Sequence, residues 1–179
     1  FPLGFFYLYE GVCRNDPLCR NGTAPGWGAT GNSGAAFLTD YAATYGFSTF
    51  VKGWWTTSEY AAMSAYVHNL TGILPWLSVQ NNYDISVETN TTRKVMLATS
   101  MAQTLSSHRD FFGYLVLDEP SDLQAVAFAH ELAAAIKSHD TVHPTWINIG
   151  TRGFPSNGTI AAAANAVDVL SVDPYTNYG

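Results

Sequence analysis

Positive charge is scarce in this chain. Eight Lys and Arg against 14 Asp and Glu leave a net charge of −6, and only 12% of the residues are charged. The basic residues are scattered, so no patch offers a footprint for nucleic acid or an anionic membrane surface. Uncharged apolar runs fall far short of the roughly 20 residues that cross a bilayer, which excludes a helical membrane span. No Gly-x-Gly-x-x-Gly and no Gly-x-x-x-x-Gly-Lys-Ser/Thr follows any apolar run, so dinucleotide and phosphate-loop chemistry lose their main support and no cofactor is expected. His139 and His143 stand four apart, but Pro144 and a helix end break the shared face that a metal pair needs, and no metal site is expected. His68, His108 and His130 fall on helix surfaces or ends and need no special role. The chain begins at Phe1 without a methionine or a charged leader, as a mature or trimmed product would.

Cysteine is almost absent too. Cys13 and Cys19, separated by five residues in a loop with Pro17, predict a short disulfide and hence an oxidising compartment. Four sequons point the same way: Asn21, Asn69, Asn90 and Asn157 each precede x-Thr and fall in predicted loops or at helix ends, where a glycan can be carried. Together they predict a secreted or cell-surface glycoprotein.

What the chain has in quantity is apolar and aromatic material, 47% and 14% of 179 residues, enough for one domain with one core. Apolar strands are predicted over residues 4–10, 47–53, 73–79, 111–117, 145–149 and 167–172. Between them lie a long loop over 11–33 and helices over 34–45, 56–69, about 95–105, 121–139 and 159–166. Thr56 with Glu59, and Ser121 with Gln124, have capping-box spacing, while Gly46 and Gly72 stand as helix terminators. Strands apolar on both faces, alternating with helices, predict a parallel α/β architecture with polar groups collected at the C-terminal strand ends. Glu10, Trp54 and Trp55, Gln80, Asp118 and Glu119, and Asp173 with Tyr175 all stand at such ends. The tryptophans, with Trp76, would suit a ligand that has apolar faces and hydroxyl edges. Strict alternation along residues 113–119 would set Gly113, Leu115, Leu117 and Glu119 on one face and Tyr114, Val116 and Asp118 on the other.

Two stretches carry a resemblance. Gly113-Tyr114-Leu115-Val116-Leu117-Asp118-Glu119-Pro120 resembles the fourth strand of the clan A type (β/α)8 glycoside hydrolases, which ends in Asn-Glu-Pro or a variant such as Asp-Glu-Pro. Val167-Asp168-Val169-Leu170-Ser171-Val172-Asp173-Pro174-Tyr175 looks like the sixth strand of similar barrels. The resemblance implies a (β/α)8 TIM-barrel fold with about six of its β/α units in these residues. It also implies that Glu119 is the general acid/base of a retaining glycosidase. The nucleophile, a second Glu at the end of strand seven, would lie beyond Gly179, since eight such units need about 250 residues.

These readings predict a secreted glycoside hydrolase acting on a poly- or oligosaccharide. Glu119 would be held protonated by apolar surroundings, and Glu10, Trp54, Trp55, Trp76, Gln80, Asp118, Asp173 and Tyr175 would contact the sugar. The Asp118 carboxylate stands where the resembling enzymes use a donating Asn, and an ionised Asp only accepts. The alternative is a barrel without catalysis that serves as an extracellular structural or carbohydrate-binding glycoprotein. A six-stranded parallel sheet has two edges to cover, which predicts self-association or completion by sequence outside these residues.

Overall fold

A computed structural model describes residues 4–6, 49–52, 56–120, 122–150 and 157–173. The elements run β1 Gly4–Phe6, β2 Thr49–Lys52, α1 Thr57–Thr71, β3 Leu74–Ser78, α2 Tyr83–Ser86, α3 Thr91–Leu105, β4 Gly113–Asp118, α4 Leu123–Lys137, β5 Thr145–Gly150, α5 Asn157–Ala164 and β6 Val169–Asp173. The six strands form one sheet in the order β1-β2-β3-β4-β5-β6, and every neighbouring pair is parallel. The parallel α/β class expected from the alternation of apolar runs is therefore present. The loop and helix predicted over 11–45 lie outside the described residues.

Local signals start and stop the helices. Thr56 caps α1: its hydroxyl accepts from the Glu59 N–H at 3.4 Å, while the Glu59 carboxylate accepts from the Thr56 N–H at 2.7 Å. Gly72 ends α1 in the left-handed region at φ 72°, where a side chain would be strained. Asn82 and Asn90 cap α2 and α3 with their side-chain oxygens. For α4 the expected Ser121 cap is replaced by Asp122, one residue later, whose Oδ1 accepts from the Ala125 N–H at 2.8 Å. Asp is as good an N-cap as Ser, so the two candidates are indistinguishable by residue type. The one-turn α2 has too short a period to be read from sequence.

The core forms where helices cover one face of the sheet. Leu77, Val79, Tyr114, Val116, Ile147 and Ile149 from the strands meet Ala98, Met101, Ala102 and Leu105 of α3 and Val126, Ala129, Leu132, Ala133 and Ile136 of α4, all buried. The helical spacing of those α3 and α4 residues in the sequence is thus their buried stripe. The opposite face carries a second cluster in which Trp76 and Leu115 are buried against Phe112, Trp146 and Val169. Trp76 packs at 4.8 Å from Phe112 and 5.1 Å from Trp146. Gly113 makes this approach possible, because a Cβ there would collide with the Pro144 carbonyl oxygen and come within 2.7 Å of the Trp76 ring.

One irregularity decides which side chains reach the polar edge. Leu115 pairs with Trp146 but Leu117 pairs with Ile147, so Val116 is an extra residue in β4, a β-bulge. Val116 and Leu117 both turn toward the helix-side core, and alternation resumes one position out of step. Asp118 falls opposite Asn148, on the face of Leu115 and Trp146. This corrects the strict alternation, which put Asp118 on the other face. Nothing in the residue type of Val116 marks a bulge.

Candidate functional site

Because the strands are parallel, the ends of β3, β4, β5 and β6 open onto one edge, and Gln80, Asp118, Glu119, Asn148 and Ser171 meet there. The Asp118 N–H donates to Gln80 Oε1 at 2.8 Å, tying the end of β3 to the end of β4. Asp118 Oδ1 accepts from Asn148 Nδ2 at 2.9 Å. Asn148 Oδ1 accepts from the Ser171 hydroxyl at 2.6 Å, and Ser171 Oγ accepts from the Trp146 indole N–H at 2.7 Å. Three strands are thus joined by side chains in one continuous chain of hydrogen bonds.

Glu119 ends β4 at φ 49°, the single positive φ of a non-glycine residue among the described residues. Such a conformation costs of order 1–3 kcal/mol and is characteristic of functional sites. Its N–H still donates to the Asn148 carbonyl at 2.8 Å, so the backbone is pinned to β5 while the side chain is exposed. That side chain lies over Gly150: a Cβ on Gly150 would stand 2.5 Å from Glu119 Oε1 and 2.8 Å from its Cδ. A glycine at the end of β5 is therefore what lets the carboxyl occupy this place. In the β-ladder Gly150 is partnered by Asp173 of β6, which brings the backbone position of Asp173 beside the β5 glycine over which the Glu119 carboxyl lies.

The residues expected at the site divide into three groups. Gln80, Asp118 and Glu119 are brought together, and Asp173 sits at the same edge by its backbone register. Trp76 is only 6% exposed and packed among Phe112, Leu115 and Trp146, so it supports the sheet face from within and has no ring face open for stacking. Glu10, Trp54, Trp55 and Tyr175 lie outside the described residues, as do Cys13, Cys19 and Asn21. The apolar enclosure expected around Glu119 is not supplied by the described residues, since the side chain is exposed. Of the sequon residues, Asn69 and Asn90 are exposed, Asn69 in the last turn of α1 and Asn90 at the cap of α3, and Asn157 begins α5.

Four residues that sequence reasoning passed over complete the arrangement: Trp146, Asn148, Gly150 and Ser171. Their signal was a polar residue inside an apolar strand, Asn148 in β5 and Ser171 in β6, which must find a partner if buried.

A second polar cluster stands at the opposite edge of the sheet, where β4 and β5 begin. Asp140 is buried and accepts four hydrogen bonds, from the Tyr114 hydroxyl at 2.8 Å, His143 Nδ1 at 2.7 Å, and the N–H groups of His143 at 3.0 Å and Val142 at 3.1 Å. The His143 ring stacks on Phe111 at 3.9 Å. Burial opposes ionisation of Asp140, but the bonds from the His143 backbone, the Tyr114 hydroxyl and the His143 ring outweigh it and hold the carboxyl below its usual range. Burial, and then the bond to Asp140, push the Tyr114 hydroxyl far above its ordinary value. Near it, Asp168 joins β5 to the end of α4 through Thr145 and a 3.0 Å contact with Lys137. His68, near the end of α1, pairs with Asp110 at 2.9 Å.

Among the described residues no three His, Cys, Asp or Glu side chains gather as a metal ion would require, and no helix is long and apolar enough to cross a membrane. No protein-family model matches the chain, and no curated protein is significantly similar to it in sequence.

Proposed function

We propose that the chain is a glycoside hydrolase of the (β/α)-barrel kind, in which Glu119 serves as general acid/base at the C-terminal edge of the sheet. The observation that carries the reading is Glu119 itself: a carboxyl held at a strained backbone position at the end of a parallel strand, over a glycine that leaves it room. Strand order supports the barrel, since a sequential, all-parallel run of strands is what a (β/α) barrel needs, whereas doubly wound sheets reverse their order at a switch point. The flanking Gln80, Asp118, Asn148 and Ser171 provide the hydrogen-bonding groups that a sugar's hydroxyls require. In this mechanism Glu119 protonates the departing glycosidic oxygen and then takes a proton from the attacking water, while a second carboxylate forms the glycosyl intermediate. The sequons and the cysteine pair fit an extracellular glycoprotein.

A second reading keeps the sugar and drops the chemistry. The exposure of Glu119 favours it, because an acid working at neutral pH is usually enclosed so that its proton is retained. Glu119→Gln separates the two. For a hydrolase, activity on glycosides with poor leaving groups falls about 10²–10⁴-fold and the matching limb of the pH profile disappears. Undiminished hydrolysis by the variant removes Glu119 from the mechanism. Absence of hydrolysis in the wild type, together with saturable binding of oligosaccharides, establishes the binding protein.

A further inference from the structure

We propose that Asn90 is an N-glycan carrier whose amide serves twice: Nδ2 bears the sugar while Oδ1 goes on capping α3. The proposal rests on the extracellular part of the reading just given and is independent of whether Glu119 is catalytic.

The orientation of the amide follows from its partner. The Arg93 N–H donates to Asn90 Oδ1 at 3.0 Å. A backbone N–H only donates and an amide nitrogen does not accept, so the oxygen must be the half turned into the helix. In a planar amide the NH2 then faces away from the first turn of α3. Asn90 is exposed, as are Thr91 and Thr92, which complete the sequon, and among the described residues no hydrogen bond engages Nδ2. The backbone is held as well, since Glu88 Oε1 accepts from the N–H groups of Thr89 and Asn90, each at 2.8 Å.

Glycosyl transfer changes only the nitrogen. The donor is a lipid-linked oligosaccharyl diphosphate: the bond from its anomeric carbon to the phosphate oxygen breaks, a bond from that carbon to Nδ2 forms, and Nδ2 gives up one of its two protons as the lipid diphosphate leaves. Oδ1 is untouched, so a glycosylated Asn90 retains the cap. The placement has a further consequence. Because α3 returns the chain from the end of β3 to the start of β4, its first turn stands on the same edge of the sheet as Gln80, Asp118 and Glu119. Asn157, the first residue of α5, shares that edge, whereas Asn69, in the last turn of α1, stands at the opposite one. A glycan on Asn90 therefore belongs to the helix layer bordering the edge that carries Glu119, and one on Asn69 does not.

The test is secretion of the full chain, behind a signal peptide, from a eukaryotic host that N-glycosylates, then release of the glycans by a glycan-specific amidase in ¹⁸O water and fragment-ion mapping of the peptides. The expected result is ¹⁸O-labelled Asp at position 90 in the wild type and in Thr92→Ser, and unlabelled Asn90 in Thr92→Ala. The cap is read on two variants that both lack this glycan. Asn90→Asp keeps an acceptor for the Arg93 N–H and Asn90→Ala does not, so the Ala variant should melt about 2–4 °C below the Asp variant. An Asn90 that stays unlabelled in the secreted wild type overturns the proposal, and equal thermal midpoints of the two variants overturn the double use of the amide. If Asn90 is labelled in the host while no sequon carries a glycan in the protein from its natural source, the extracellular reading fails and the acceptor geometry of Asn90 stands.

Discussion

Asp140 is the residue whose removal the structure prices most directly. Asp140→Ala takes away the acceptor of four hydrogen bonds and strands the Tyr114 hydroxyl and the His143 ring, 0% and 5% exposed respectively. A buried donor left unmatched costs about 1–3 kcal/mol; of the two N–H groups, that of Val142 belongs to an exposed residue, whereas that of His143 is buried with its ring. The expected loss is about 3–5 kcal/mol, a large part of the roughly 5–15 kcal/mol that holds a domain together. In thermal unfolding it corresponds to a fall of about 6–20 °C. Urea titration reads it as a lower midpoint with an unchanged slope. Asp140→Asn keeps the volume and one acceptor oxygen and should lose about half as much.

The same residue gives a signature in pH. The folded carboxyl titrates below its unfolded counterpart, so its stabilisation is complete above the unfolded value of about 3.9, shrinks as the pH falls below it, and vanishes beneath the folded value. Asp168, where burial opposes ionisation but Thr145 and Lys137 outweigh it, adds its share in the same direction. Wild-type stability should therefore fall steeply in acid, and Asp140→Asn should flatten that fall while leaving the Asp168 part. A loss below about 1 kcal/mol in Asp140→Ala, or acid curves parallel in the wild type and Asp140→Asn, would refute the reasoning.

Gly150→Ala should leave the fold nearly intact, because the exposed Glu119 side chain is able to swing aside. On the hydrolase reading the displaced carboxyl should then cost about 10²-fold in hydrolysis, and an equally active variant would show that its position over Gly150 is irrelevant. Gly113→Ala has no such escape, since the Pro144 carbonyl is backbone; about 1–3 kcal/mol should be lost in urea unfolding. Thr56→Ala removes the cap of α1 and should cost about 1 kcal/mol in the same assay.

Local and periodic features were legible without a structure. Thr56 with Glu59 could form little but a capping box, Gly72 little but a helix end, and the spacing of Val126, Ala129, Leu132, Ala133 and Ile136 defined a buried stripe, because each depends on neighbours within one or two turns. The apolar strands likewise declared a parallel sheet. Gln80, Asp118 and Glu119 were found as a group because they end successive strands of one sheet.

Tertiary structure decided the rest, wherever the outcome depended on a partner distant in sequence. Val116 becomes a bulge only against β5, and that single extra residue moves Asp118 onto the face of Asn148. Trp76 looks like a platform until Phe112 and Trp146 close over it. Gly150 reads as a strand end, and only its contact with Glu119 explains why no side chain belongs there. Asp140 and Tyr114, 26 residues apart, meet because α4 returns the chain to the start of β5. Sequence by itself determined the strands and the longer helices among the described residues and their order; the register between strands, fixed by packing across the sheet, determined which polar groups face one another.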